Sequence, residues 1–453
     1  MLQSVNPYTG ELLQTYPVMG RREAEELIQH AHTAFLDWRG LTVAERVAFL
    51  PNLITALGEE QERLALLATL EMGKLLSEAR AEVQKCLYLC QYYLENAATQ
   101  LAPEQIASDA RRSGVVYQPL GVVLGIMPWN FPYWQAFRFI VPTLISGNAA
   151  VLKHASNVTG CALAIEALFV KAGFPSQLLR VLLLPGAQMQ PFVQHERVAA
   201  VSLTGSEGAG KQVGSWGGTA LKPMVLELGG NDPFLVFEDA DLDVAAKTAM
   251  HSRFQNAGQS CIAAKRFIVQ QAVYASFLER CKAISETYVL GDPQHPNTTL
   301  APLASRQFVS ELASQVNHSV KEGASVVTGG GTWTKNEGFY LPTLLTQVQP
   351  QMLVAKEELF GPVAVCLSFN TLQEAIRLAN DSKFGLGATV FTQDVEIQQT
   401  CLNQIDAGSV FVNGLMKSHP ALPFGGVKAS GVGRELGKEG LRAFVNIKTY
   451  WIR

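Results

Sequence analysis

One cysteine of the chain lies in surroundings that suit a nucleophile. Cys261 ends the segment 256–261, which reads NAGQSC and has no apolar periodicity. A cysteine in a polar loop can be held as a thiolate, which is the nucleophilic form of the thiol. The same surroundings fit a free, half-buried thiol that does no chemistry. We therefore predict Cys261 as a candidate nucleophile, with the inert thiol as the alternative.

Two polar residues elsewhere have side chains that can assist a nucleophilic cysteine. Glu227 follows the apolar run 224–226, and a carboxyl group in apolar surroundings gains a raised pKa that suits a general base. Asn130 lies in the segment 127–132, MPWNFP, where its amide can stabilise a developing oxyanion. The alternative for Glu227 is a capping or ion-paired carboxylate at a strand end. The alternative for the segment 127–132 is a rigid turn with aromatic packing.

A glycine-rich segment has the character of a phosphate-binding turn. Residues 202–210 read SLTGSEGAG and join an apolar run to a helix-length segment. Glycines there let the backbone approach a diphosphate, and the N-terminus of a helix favours anions. The spacing is G-x-x-G-x-G and differs from the dinucleotide fingerprint G-x-G-x-x-G, so this segment alone is a weak indication of a cofactor site.

The apolar pattern predicts which elements position these residues. Helical spacing marks the segments 21–38, 43–70 and 77–94. From residue 122 onward, short apolar runs alternate with helix-length segments, and a second such alternation begins past residue 230. This alternation is typical of βαβ units on parallel sheets. We predict an α/β fold with two Rossmann-like parallel-sheet domains that meet near residues 229–230.

The composition limits the class of partner and the compartment. The chain has 453 residues with 36 Lys and Arg against 39 Asp and Glu, so its net charge of −3 gives no sign of a nucleic-acid or membrane-surface partner. Seven dispersed cysteines without metal-ligand spacing favour a reducing compartment and a site without a metal. With no secretory signal at the N-terminus, we expect a cytoplasmic protein that acts on a small molecule.

Seven short segments, taken together and in order, identify a family. With them the chain resembles the NAD(P)-dependent aldehyde dehydrogenase superfamily over essentially its whole length. The segments are 128–132 (PWNFP), 152–153 (LK), 203–206 (LTGS), 226–230 (LELGG), 258–261 (GQSC), 358–362 (ELFGP) and 423–431 (PFGGVKASG).

The resemblance implies a covalent mechanism. By that match, Cys261 attacks the aldehyde carbon, and the amide of Asn130 and the N–H of Cys261 stabilise the oxyanion. Hydride then passes to the nicotinamide and leaves a thioester, for whose hydrolysis Glu227 activates a water. The family's reaction requires no metal.

The resemblance also implies a cofactor site. Many family members have Glu where this chain has Ser156, and that Glu would repel a 2′-phosphate, whereas a serine hydroxyl can donate to one. We therefore predict NADP as the preferred cofactor, with NAD possible. The implied cofactor-binding residues are Trp129, Asn130, Lys153, Ser156, Gly205, Ser206, Leu228, Glu358 and Phe360.

Four residues are expected to line the substrate funnel. Trp134 and Arg138 are four apart in a predicted helix and share one face, and the resemblance adds Ser260 and Ser418. An arginine in an apolar segment is costly to bury without an anion, and it suits a carboxylate. Arg138 is thus a candidate for binding the distal carboxylate of a semialdehyde acid; the alternative is that it pairs with a protein acid.

The substrate follows from a closer similarity. In the segments 127–131, 153–157 and 259–266 the chain is most similar to succinate-semialdehyde dehydrogenases, which implies succinate semialdehyde as the substrate. The alternatives are a broad-specificity dehydrogenase for uncharged aldehydes, a cysteine esterase or hydrolase, and a non-enzymatic binding protein. Turnover of activated esters without cofactor would identify the hydrolase, against which the lack of an obvious His partner near Cys261 speaks.

The resemblance further implies the organisation of domains and subunits. We expect a cofactor-binding domain at 1–111 and 121–229, a catalytic domain at 230–434, and an oligomerisation element at 112–120 and 435–453. The oligomerisation element would join subunits into a homodimer or a homotetramer.

Overall fold

Twenty strands are distributed along the chain, and the computed structural model describes all residues from 1 to 453. In chain order the strands are β1 (Leu2–Val5), β2 (Leu12–Tyr16), β3 (Glu104–Gln105), β4 (Arg112–Pro119), β5 (Val122–Met127), β6 (Ala149–His154), β7 (Leu179–Val181), β8 (Val198–Thr204), β9 (Met224–Glu227), β10 (Pro233–Val236), β11 (Arg266–Gln270), β12 (Ser325–Thr328), β13 (Thr343–Thr346), β14 (Val363–Phe369), β15 (Phe384–Gly385), β16 (Gly387–Phe391), β17 (Ser409–Val412), β18 (Val427–Lys428), β19 (Gly431–Val432) and β20 (Val445–Ile452).

Fifteen α-helices connect these strands, and three short 3₁₀ segments (Ser156–Val158, Gly186–Gln188 and Gln255–Gly258) lie between them. None of the helices combines the length and apolarity that a membrane crossing requires. The helices are α1 (Arg21–Trp38), α2 (Val43–Val47), α3 (Leu50–Met72), α4 (Leu76–Gln100), α5 (Trp134–Ile145), α6 (Thr159–Lys171), α7 (Gln190–Val193), α8 (Glu207–Thr219), α9 (Leu242–Phe254), α10 (Tyr274–Ser285), α11 (Arg306–Lys321), α12 (Leu353–Lys356), α13 (Leu372–Asn380), α14 (Val395–Gln404) and α15 (Gly437–Leu441).

The helices of the first hundred residues differ from the sequence prediction at one place. The segment 43–70 was expected to be one helix, but the structure divides it into α2 and α3. Pro51 lies in the first turn of α3, where its missing N–H costs nothing, whereas it cannot continue a helix that began at Val43. The predicted helices at 21–38 and 77–94 correspond to α1 and to most of α4.

Two mainly parallel sheets form the frame of the molecule. The first has the order β19-β9-β8-β5-β6-β7, and the second has the order β12-β13-β14-β11-β10-β16-β17. Only β19 and β12, at one edge of each sheet, run antiparallel to their neighbours. The inner strands are continuous apolar runs because helices cover both faces of such sheets. The predicted α/β fold with two Rossmann-like sheets is confirmed.

Each sheet has its own hydrophobic core. The buried apolar residues form two separate clusters of 71 and 46 residues, which is what two independently packed domains require. The chain returns to the first sheet at β19, before residue 434, where the catalytic domain was expected to end. The domain bounds as a whole stay a prediction.

A third, small sheet has the order β20-β4-β3. Strand β20 pairs with β4 along its full length, from Val445 opposite Pro119 to Ile452 opposite Arg112. The chain's last strand is therefore an edge strand, and the side chains of Ile447, Trp451 and Ile452 on it are exposed. An exposed apolar edge of this kind is a template for pairing with another chain.

A buried ion pair fixes the start of α5 against α4. The Glu82 carboxylate binds the ammonium of Lys74, and both side chains are almost completely buried. The other carboxylate oxygen accepts the N–H groups of Tyr133 and Trp134 at 2.8 Å each. Because these N–H groups begin α5, Glu82 both neutralises Lys74 and caps the helix whose first residue is Trp134.

We predict that Glu82→Ala destabilises the protein by about 3–5 kcal/mol, because it leaves a buried ammonium without a partner. Urea unfolding followed by circular dichroism measures the change. The matched control is Glu62→Ala, which breaks the exposed Arg80–Glu62 pair that solvent screens. Equal shifts of the urea midpoint in the two variants would contradict the structural role of Glu82.

Candidate active site

The predicted site residues lie where the two sheets face each other. The first sheet contributes residues at the carboxyl ends of four neighbouring strands, β6, β5, β8 and β9. After these strands come, in the same order, Ser156, Asn130, Gly205 and Leu228, and Glu227 is itself the last residue of β9. The carboxyl ends of parallel strands are the usual ligand side of such a sheet. Cys261 and the segment 358–362 instead come just before β11 and β14, which are neighbours in the second sheet.

A cavity of about 380 Å³ lies between α4, α5 and the segment 415–420. It contains the five predicted residues Trp134, Arg138, Ser260, Cys261 and Ser418. Asn130 and Glu227 do not line the cavity themselves. Asn130 accepts a hydrogen bond from Asn256, and Glu227 is close enough to Arg138 to be affected by its charge; both of these neighbours line the cavity. The structure therefore brings the predicted nucleophile and the predicted substrate residues into one space.

The backbone before the cysteine adopts an unusual conformation. Asn256 and Ala257 have φ angles of 54° and 52°, and Gly258 follows with 76°. Left-handed conformations are disfavoured for residues with a Cβ, so surrounding contacts must hold them. The N–H of Asn256 donates to Oε1 of Glu78 at 2.7 Å, and its side-chain amide donates to the carbonyl of Asn130 at 2.8 Å.

A fully buried arginine fixes the same segment from the other side. Nη2 of Arg253 donates to the carbonyl oxygens of Gly258 at 2.9 Å and Leu359 at 3.0 Å, and also to that of Gly361. Burial lowers the pKa of the guanidinium to about 9. Arg253 thereby ties the turn before Cys261 to the segment 358–362, and sequence reasoning did not identify it.

Cys261 differs from the other six cysteines. It is half-buried and lines the cavity, whereas the other six are buried. Desolvation raises the pKa of its thiol to about 12, against the weaker opposite effects of Lys265 and Arg138. In this state the sulfur is held as a thiol, so its reaction requires a group that accepts the proton.

Asn130 lies beside the cysteine loop, and a hydrogen bond to that loop fixes its side chain. Its side-chain Nδ2 donates to the carbonyl of Gln259 at 3.1 Å. The amide carries two N–H groups, and the second has no protein acceptor. One N–H therefore positions the side chain while the other remains available for an oxyanion at Cys261.

Glu227 is a buried carboxyl group without a hydrogen-bond partner on either oxygen. Its pKa is raised well above the ordinary value by burial and then by the negative charge of Glu435, while Arg138 opposes the shift. A carboxyl with a raised pKa is a strong proton acceptor once ionised, which suits a general base. Both of its oxygens are free to accept a proton from a water.

Arg138 has a protein partner as well as a place on the cavity wall. Its guanidinium already pairs with the buried carboxylate of Glu435, and Nη2 donates to Gln135 at 2.7 Å and to Thr204 at 3.2 Å. The structure thus shows the protein acid that was the alternative partner of Arg138, which is 2% exposed, while its contact with a substrate stays a prediction. Nη1 alone donates to no protein group, and the residue lines the cavity.

The carboxyl ends of β6 and β8 offer a place for a diphosphate-containing cofactor. The ammonium of Lys153, at the end of β6, is largely buried and has no hydrogen-bond or ion-pair partner in the protein; desolvation lowers its pKa. The Ser156 hydroxyl is likewise without a partner, and a Cβ on Gly205 would meet nothing closer than 3.8 Å. Ser206 caps α8 by accepting the N–H of Ala209 at 3.3 Å. These residues fit a dinucleotide, because its ribose and phosphates supply the missing partners.

The remaining predicted cofactor residues form the wall between the sheets. The carboxylate of Glu358 accepts the N–H of Gly230 at 3.1 Å and pairs with Lys265 at 3.2 Å. A Cβ on Gly229 would lie 2.3 Å from the Glu358 carboxylate, and one on Gly210 would lie 2.5 Å from the end of Leu228, so a side chain at either glycine would displace a predicted cofactor residue.

Aromatic rings complete that wall. Trp129 stacks on Phe308 with ring centroids 5.1 Å apart and meets the edge of Phe360 at 5.8 Å. The neighbouring His154 is packed, since Nε2 faces the carbonyl of Pro132 and the other ring nitrogen accepts a backbone N–H. Burial lowers the pKa of His154 to about 4, so this imidazole is neutral.

Two charged residues near the cavity were missed by sequence reasoning. Lys85 lies on α4 and Glu435 precedes α15, and neither belongs to a motif. A signal for Lys85 was present, because Glu78, Glu82 and Lys85 recur at helical spacing on one face of α4 among apolar residues. No group of three or more His, Cys, Asp or Glu is arranged to hold a metal ion.

Comparison with known proteins agrees with this geometry. The profile of the aldehyde dehydrogenase family matches residues 1–450. A probable NADP-dependent succinate-semialdehyde dehydrogenase of Synechocystis is 45% identical over 451 residues, covering 100% of this chain and 99% of that protein. NADP-dependent succinate-semialdehyde dehydrogenase 1 of Mycobacterium bovis is 44% identical, with the same coverage. The crystal structure of succinic semialdehyde dehydrogenase from Streptococcus pyogenes in complex with NADP⁺ superposes with a TM-score of 0.97 at 36% identity, and both chains are covered fully.

The environment of Cys261 predicts how its reactivity depends on pH. Below a thiol pKa of about 12 the thiolate fraction rises about tenfold per pH unit. We expect the rate of alkylation by iodoacetamide to rise continuously from pH 7 to pH 10, with Cys261→Ser removing the reaction because the other cysteines are buried. A plateau near pH 8 would contradict the desolvated thiol.

Proposed function

The chain belongs to the aldehyde dehydrogenase family, and we propose that it oxidises succinate semialdehyde to succinate with NADP. The observation that carries this proposal is the cavity that holds Cys261 together with cationic and hydroxyl groups of Arg138, Lys85 and Ser418. An aldehyde with a second, anionic end matches a cavity with a nucleophile and positive charge. The substrate named for the relatives agrees with this chemistry.

The first step forms a bond between Sγ of Cys261 and the aldehyde carbon. Because desolvation disfavours the thiolate, the thiol proton leaves to water in the cavity as the bond forms. The oxygen of the former carbonyl gains negative charge, which the free N–H of Asn130 and the N–H of Cys261 stabilise. Each such donor lowers the barrier by roughly 3 kcal/mol.

The second half of the reaction returns the enzyme to its starting state. Bound NADP supplies the acceptor for the hydride that leaves the former aldehyde carbon, so that a thioester on Cys261 remains. Glu227 then removes a proton from a water that attacks this thioester. The C–S bond breaks, the sulfur is protonated and the carboxylic acid departs. The raised pKa of Glu227 means that the base form becomes more abundant as pH rises.

The preference for NADP rests on two groups that have no protein partner. Lys153 offers an ammonium and Ser156 a hydroxyl on the cofactor side of the first sheet. With Ser at position 156 there is no carboxylate that would bind the 2′-hydroxyl of NAD and repel the 2′-phosphate of NADP. The cofactor named for the relatives supports the same choice.

We further propose that the enzyme is a homodimer or homotetramer in a reducing compartment, the cytoplasm. Strand β20 leaves an exposed edge with Ile447 and Trp451, which a second copy would cover. All seven cysteines are unpaired, as expected where thiols stay reduced.

A spectrophotometric assay of reduced nicotinamide tests substrate and cofactor together. We expect kcat/KM for succinate semialdehyde to exceed that for butanal at least tenfold, because only succinate semialdehyde has a carboxylate that the cationic groups of Lys85 and Arg138 can attract. We also expect NADP to be preferred over NAD. Equal kcat/KM for both aldehydes would favour the broad-specificity alternative, and a tenfold preference for NAD would contradict the cofactor proposal.

Ser156→Glu is the matched variant for the cofactor. The introduced carboxylate repels the 2′-phosphate, so kcat/KM with NADP falls while kcat/KM with NAD rises or is retained. A parallel loss with both cofactors would mean that position 156 does not face the ribose.

A further inference from the structure

Lys85 is an unpaired cation inside the substrate cavity. It is half-buried on α4, and its Nζ has no carboxylate within ion-pair distance. Its one hydrogen bond is to the hydroxyl of Ser418, at 2.7 Å, and it lies 4.2 Å from the ring centroid of Trp134. An ammonium carries three N–H donors, so two remain unused. The nearest acid on the same helix face, Glu82, is already occupied by Lys74 and by two N–H groups.

The contacts of Ser418 determine where its proton points. Its Oγ accepts a hydrogen bond from Nζ of Lys85 at 2.7 Å and another from the indole N–H of Trp134 at 3.0 Å. A hydroxyl oxygen has two lone pairs, and both are used. The Ser418 O–H must therefore act as a donor elsewhere, and no protein acceptor faces it. In a cavity-lining residue, that free donor is directed at whatever occupies the cavity.

Three groups that line one cavity thus have N–H or O–H donors without a protein acceptor. They are the ammonium of Lys85, the hydroxyl of Ser418 and Nη1 of Arg138. Such a set matches a carboxylate, which accepts several hydrogen bonds and carries one negative charge. We propose that Lys85 is a specificity-determining residue that binds the distal carboxylate of the substrate directly and orients Ser418 as a second donor. This inference rests on the proposed oxidation of a semialdehyde acid and identifies the group that recognises its acid end.

The charge balance of the cavity favours Lys85 over Arg138 as the principal partner. Arg138 is compensated by Glu435 and so retains little net attraction, whereas Lys85 has no counter-ion. Desolvation, and then the nearby charge of Arg138, lower the pKa of Lys85 to about 8. The titratable and charged groups around it on the elements that line the cavity are Glu78, Glu82, Cys86, Tyr88, Arg138, Cys261, Lys417 and His419.

The pKa of Lys85 gives the assignment a pH signature. A lysine with a lowered pKa loses its charge as pH rises through about 8, while the substrate carboxylate stays ionised. Selectivity for a semialdehyde acid over an uncharged aldehyde therefore declines above that pH. The protons of Cys261 and Glu227 affect both substrates, so a ratio of the two kcat/KM values cancels their contribution.

The test measures kcat/KM for succinate semialdehyde and for butanal with NADP, in the wild type, Lys85→Met and Lys85→Arg, from pH 7 to pH 10. We expect Lys85→Met to lower the selectivity ratio about 10- to 100-fold at pH 7, chiefly through KM for succinate semialdehyde. We expect the wild-type ratio to fall above about pH 8. Lys85→Arg keeps its charge and should show a ratio that does not decline over this range.

Lys417→Met is the matched control, because Lys417 is an exposed cation on the same cavity wall. Lys417→Met should change the ratio of the two kcat/KM values less than threefold if direct contact between Lys85 and the carboxylate, rather than the long-range charge of the cavity, determines the selectivity. A Lys85→Met ratio equal to that of the wild type, or equal to that of Lys417→Met, would overturn the assignment of Lys85. A wild type without preference for succinate semialdehyde would instead overturn the proposed function. The ratio is independent of the fraction of folded enzyme, so partial misfolding cannot imitate either result.

Discussion

The active site depends on the hydrogen bonds that hold the turn before Cys261 in a left-handed conformation. Two residues with side chains, Asn256 and Ala257, adopt φ angles above 50°, at a cost of about 1 kcal/mol each. Arg253, on helix α9 of the second domain, binds the turn from one side, and Asn130 and Glu78 bind it from the first domain. The predicted nucleophile is therefore positioned by contacts from both domains, and the residues of the candidate site come together only when the two domains are packed.

The distribution of buried charge separates structural groups from functional ones. Lys74 with Glu82, and Arg138 with Glu435, are compensated within the protein and hold helices in place. By contrast, the ammonium groups of Lys85 and Lys153 have no acid partner. Since burying an unpaired polar group is costly, such positions are stable when a ligand supplies the missing partner. Lys85 lines the cavity that contains Cys261, and Lys153 lies at the carboxyl end of β6.

Much of this arrangement follows from local sequence, and the part that does not has a physical reason. Continuous apolar runs predicted the two parallel sheets, and the motif around Cys261 singled out the one cysteine that lines the cavity. The partner of Arg138 was left open because Glu435 is 297 positions away and only tertiary packing brings it near. Lys85 was missed because a lysine on a helix usually faces solvent, and its burial depends on the segment 415–420 that covers it.

In the proposed reaction Cys261 carries the acyl group, and Glu227 directs the hydrolysis of the thioester. Glu227→Gln keeps the shape of the side chain but removes the proton acceptor, so the thioester should persist. Incubation of this variant with succinate semialdehyde and NADP, followed by mass spectrometry of the digested protein, should find a succinyl adduct on the peptide that contains Cys261 and on no other cysteine. An unmodified Cys261, with full turnover retained, would contradict the account.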